Sequence, residues 1–133
     1  MTPKNEERGR KMVTSGPTRK VSEMIWEFAG EFIGLGETLE DKQNRLNAAC
    51  RTWNMACNPL KTRESLLNQY VKSYQSYNPD ATDEELSDIR SDMMKLIQNK
   101  LFLFPAVQKP IVGAQISRVA GQDRIDVVSA RFE

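Results

Sequence analysis

The chain has 133 residues, of which 39% are hydrophobic, 8% aromatic and 28% charged, the make-up of one globular domain. A chain of this length buries about two thirds of its unfolded surface and needs neither a disulfide nor a metal to fold. It contains no His, which excludes His-based triads, His-containing zinc sites and facial-triad iron, and its net charge of +1 provides no global field towards nucleic acid or anionic lipid.

Residues 1–19 carry Pro3, Gly9, Gly16 and Pro17 among charges, with only Met12 and Val13 to bury, and are predicted to form a flexible N-terminal arm. The arm is basic. Through residue 20, Lys4, Arg8, Arg10, Lys11, Arg19 and Lys20 stand against Glu6 and Glu7 and the remainder is mildly acidic; residues 20–133 are expected to form a single domain. No apolar run reaches the eighteen residues or so of a membrane span, and no stretch of signal-peptide type follows the basic residues, so the expected location is cytoplasmic.

A first helix is predicted over about 20–34, with Val21, Ile25, Phe28, Phe32 and Leu35 on one stripe and Gly34 and Gly36 as its stop. Thr38 caps a second, about 38–58, which turns Leu39, Leu46, Ala49, Cys50, Trp53, Ala56 and Cys57 inward and ends at Asn58-Pro59. Thr62 opens a third, about 62–77, carrying Leu66, Leu67, Tyr70, Val71, Tyr74 and Tyr77. A capping box from Thr82 to Glu85 starts a fourth, about 82–103, with Leu86, Ile89, Met93, Leu96, Ile97 and Leu101 inward. After Pro110 the residues become β-branched on both sides of Ala120-Gly121-Gln122-Asp123, which predicts a hairpin over about 111–132. Pairing Val119 with Arg124 places Val112, Ala114, Ile116, Ile125 and Val127 on one apolar face, to lie on the helices, with Arg118 and Arg131 at its margins. The expected fold is α+β, a four-helix layer followed by an antiparallel hairpin packed on it.

Few residues suggest chemistry. Cys50 and Cys57 lie too far apart along one helix to bridge each other, have no metal-site spacing and suit a reducing compartment. Gly30-x-x-x-Gly34-x-Gly36 ends a helix and lacks the Lys-Ser or Lys-Thr of a phosphate loop. Asn78 to Glu84 gathers oxygen ligands, but Asp83 and Ile89 stand where a calcium loop needs Gly and a chelating Glu, so its acidic residues read as the first turn of a helix. Glu23, Glu27 and Glu31 read as a solvated stripe, and the three tyrosines of the third helix as core and rim. No cofactor or metal is expected.

Two patches remain. Trp26 lies off the main stripe of the first helix, near Gly30 and Ile33: either this helix is central, with neighbours on two sides, or these three residues form a contact patch. On the second helix Gln43, Asn44, Asn47, Arg51 and Asn54 fall within an arc of about 100°, although Asn is a poor helix former. The expectation is a small non-enzymatic interaction module, an adaptor, inhibitor or accessory subunit that self-associates, with Trp26, Gly30 and Ile33 as apolar contacts and Asn44, Asn47, Arg51 and Asn54 as polar ones. The alternative is a nucleic-acid-associated regulator, in which Arg8, Arg10 and Lys11 contact phosphate and the Asn/Arg face reads bases.

Overall fold

A computed structural model describes residues 20–129. The arm with Arg8, Arg10 and Lys11, and residues 130–133 with Arg131, lie outside the described residues. Four helices, α1 (Val21–Gly34), α2 (Leu39–Ala56), α3 (Leu60–Tyr77) and α4 (Asp83–Leu103), precede an antiparallel pair of strands, β1 (Ile111–Val119) and β2 (Gln122–Ser129). This is the expected α+β order, with the hairpin packed on α1 and α2.

Local chemistry accounts for the boundaries. The Thr38 side chain accepts from the Asp41 N–H at 3.0 Å, and Thr82 and Glu85 form the reciprocal capping box. Such a cap contributes about 1 kcal/mol. α3 starts two residues before the predicted Thr62, because Pro59, with φ −60°, sets the backbone for a helix that needs no side-chain cap. Gly36 lets the connection from α1 pass against the first turn of α2, since a Cβ there would meet the Lys42 backbone nitrogen at 2.9 Å.

The central helix is α2, which touches α1, α3, α4 and β1. One core cluster joins α1, α2, α4 and the hairpin around Ile25, Phe28, Leu46, Trp53, Ile116 and Ile125; a second joins α2, α3 and α4 around Met55, Leu67, Val71, Met93 and Ile97. The indole of Trp53 lies at the centre of the first cluster, 5.4 Å from the Phe28 ring and 6.0 Å from the Phe104 ring, and its Nε1–H donates to the Lys109 carbonyl. Leu35, Leu39 and Tyr77, expected inward, are exposed because each stands at a helix terminus beyond the reach of the neighbouring element.

The hairpin differs from expectation in two details. Val119 pairs with Gln122, not Arg124, across a two-residue turn in which Ala120 (φ 53°) and Gly121 (φ 81°) both lie in the left-handed region, the geometry that matches strand twist. The two-residue shift keeps Ala114, Ile116, Ile125 and Val127 on the helix side. Val112 is instead exposed, because an irregularity between Ile111 and Gly113 shifts the register and turns Ile111 into the core.

Candidate interaction surface

The polar arc of α2 is divided along its length. Gln43 and Asn54 lie at the edge facing β1 and dock the strand. Asn54 Nδ2 donates to the Ile111 carbonyl at 2.8 Å, and the Ile111 N–H donates back to Asn54 Oδ1 at 2.7 Å. Gln43 Nε2 donates to the Ala114 carbonyl at 3.1 Å, and the Ile116 N–H donates to Gln43 Oε1 at 2.9 Å. Two side-chain amides thus imitate a neighbouring strand, satisfying backbone groups that a sheet edge would leave unpaired. Asn54, expected as a partner contact, is committed to this internal task.

The other edge of the arc is open. Asn47 is exposed and accepts from Gln43 Nε2 at 2.9 Å; Asn44 is exposed; the Arg51 guanidinium is exposed and stacks over the Tyr70 ring, 5.6 Å from its centroid. Two grooves flank Tyr70. One, of about 370 Å³, runs between α2 and α3 past Arg51, Asn54, Leu66 and Ser73. The other, of about 480 Å³, is bounded by all four helices and lined by Asn44, Arg45, Tyr70 and Tyr74 with the carboxylates of Glu37, Asp41 and Asp92. Arg45 is already engaged, donating to the Phe32 carbonyl at 3.0 Å with its guanidinium over the Phe32 ring. No described residue forms a salt bridge with Glu37, Asp41 or Asp92, and with Arg45 the one cation among the lining residues the groove is negative on balance. Burial pushes the Tyr70 hydroxyl pKa up, opposed by the adjacent Arg51, so the ring meets the grooves as a neutral hydrogen-bonding group.

The expected apolar patch on α1 is smaller than the sequence suggests. Ile33 is fully buried in the first core cluster and so is not available to a partner. Trp26 is half-buried, and its ring lies over Gly30, where an added Cβ would meet Trp26 Cε3 at 3.0 Å. Only the Trp26–Gly30 pair reaches the surface. The Glu23, Glu27 and Glu31 stripe is exposed, as expected.

Sequence reasoning missed two charged groups. Lys42 Nζ lies 2.6 Å from Asp123 Oδ2, joining the first turn of α2 to β2; this hydrogen bond, with the Lys42 and Arg118 charges, holds the Asp123 carboxyl below its ordinary pKa against partial burial. Lys100 is completely buried, donates to the Val107 carbonyl and lies 5.0 Å from the Trp53 ring centroid, with Cys57 Sγ on the same carbonyl at 4.0 Å. Burial pushes the Lys100 pKa down and the Cys57 pKa up. The pair fastens the 104–110 connection to the helices. The one signal for it was position, since Met93, Leu96, Ile97 and Lys100 share the inward stripe of α4. Cys50 and Cys57 are free thiols, and burial pushes Cys50 up to about 11, where it remains protonated and unreactive near neutrality.

Among the described residues, no group of three or more Cys, Asp or Glu side chains is placed to hold a metal ion, and no helix is long and apolar enough to cross a membrane. The chain matches no protein-family model, no curated protein and no solved structure.

Proposed function

We propose that this protein is a small non-enzymatic interaction module of the cytoplasm, an adaptor, inhibitor or accessory subunit, that binds a protein partner through the open side of α2 and α3 and also self-associates. The observation that carries this reading is the pair of grooves about Tyr70. They place Arg51, Asn44 and three carboxylates, which have no ion-pair partner among the described residues, on one continuous exposed face, while Gln43 and Asn54 of the α2 arc dock the hairpin. That face suits a polypeptide presenting basic and hydrogen-bonding side chains, with Tyr70 as the aromatic anchor at its centre. The free thiols agree with a reducing compartment.

The reading is tested by comparing proteins recovered from a native lysate with tagged full-length wild type and with an Asn44→Ala/Arg51→Ala variant. Both positions are exposed, so the variant retains its thermal midpoint. Partner recovery falls on the order of tenfold if these side chains lie at the contact. Equal recovery by the two proteins would exclude this face.

A further inference from the structure

A two-stranded sheet has two outer edges, and the described residues close only one. Gln43 and Asn54 occupy the outer edge of β1. Because Ala114 and Ile116 turn their backbone groups to α2, it is Gln115 and Ser117 that exchange hydrogen bonds with Asp126 and Arg124 opposite them. Alternation along β2 then points the N–H and C=O groups of Ile125 and Val127 outward. Among the described residues these groups have no hydrogen-bond partner. Beside them lies a groove of about 570 Å³ between β2 and the first turn of α1, lined by Lys20, Glu23 and residues of β2.

The side chains along this edge are self-complementary. Arg124 and Asp126 flank Ile125 on the outer face of the hairpin, 3.2 Å apart and each more than half exposed. If two copies of β2 run antiparallel with Ile125 opposite Ile125, each Arg124 faces the Asp126 of the other copy. Shifting the centre to residue 124 opposes two arginines, and shifting it to 126 opposes two aspartates. Like charges directly opposite each other disfavour both registers.

We propose that β2 pairs with β2 of a second copy about a two-fold axis at Ile125, forming a continuous four-stranded sheet with both helical layers on one side. This inference deepens the self-association part of the function proposed above and leaves the α2–α3 face untouched. The two can therefore fail separately.

The test is light scattering on the full chain across the micromolar range, for wild type, Arg124→Asp, Asp126→Arg and the double reversal. Wild type is expected to be dimeric. Each single reversal places like charges opposite each other and weakens the dimer on the order of tenfold, and the double reversal restores it. A monomeric wild type, single reversals that dimerise as wild type does, or a double reversal that stays dissociated would each overturn the proposal. Amide exchange on the unaltered protein provides a check independent of the variants' folding. Protection at Ile125 and Val127 should increase with protein concentration, and concentration-independent exchange there would also overturn it.

Discussion

Lys42 and Asp123 lie 81 positions apart in the chain and 2.6 Å apart in the fold, and their pairing holds the turn end of the hairpin against α2. With its pKa held down in the folded state, Asp123 contributes stability that is fully present above the ordinary carboxylate value of 3.8 and is lost as pH falls through the lower folded value. Asp123→Asn should therefore lower the thermal midpoint equally at pH values near 7 and near 5, with the gap to wild type closing below about pH 4. A gap of the same size at every pH would mean that charge has no part in this contact. Ala120 invites the opposite kind of change, since a non-glycine residue with φ 53° is strained unless it is Asn or Asp. Ala120→Asn, which creates the Asn-Gly pair favoured in two-residue hairpin turns, should raise stability by about 0.5–1 kcal/mol in urea unfolding. Lower stability would contradict the assigned turn.

At the level of elements, the hairpin is held by a helix that acts as its third strand. Asn54→Ala removes both bonds to Ile111 and leaves a partly buried N–H and C=O unpaired, which should cost about 2 kcal/mol and speed exchange of the Ile111 amide. A change within error would show that water replaces the amide at no cost. The helices themselves were legible because they are punctuated: Thr38, Asn58-Pro59, Asn78-Pro79 and the Thr82–Glu85 box are local signals, and local signals set the observed limits to within about two residues. The docking role of Gln43 and Asn54 was not legible, because their partners lie 57 to 73 positions away and an Asn-rich helix face reads the same whether it meets water, a partner or a strand edge. Val112 was misplaced for a related reason. Period-two alternation cannot anticipate a one-residue irregularity, and that irregularity exchanges the roles of Val112 and Ile111.

Across the whole molecule, the organising fact is the central position of α2. The sequence made α1 a candidate for that place because Trp26 widened its apolar surface, yet Trp26 is half-buried and lies across Gly30. The second helix reads as more polar, and its arc of amides conceals that it is surrounded: small residues, Ala48, Ala49, Cys50 and Ala56, let its neighbours approach closely, and the amides meet the hairpin. This arrangement reduces the candidate contact residues from seven to those that reach the surface, with Asn44, Asn47 and Arg51 on one face and Trp26 with Gly30 on another. α3 contributes only Leu67 and Val71 to the buried core and turns Tyr70 and Tyr74 to the groove, so it forms a wall of the open face more than a support of the fold.

The most direct test of the account is site-specific photocrosslinking in cells, with a photoreactive amino acid at position 44, on the groove, or at position 98, an exposed position on α4 that lines neither groove flanking Tyr70. The account predicts a discrete crosslinked protein partner from position 44 that is absent from position 98 and lost when Arg51→Ala is added. The same crosslinks from both positions, or none from position 44, would contradict a binding role for the α2–α3 face.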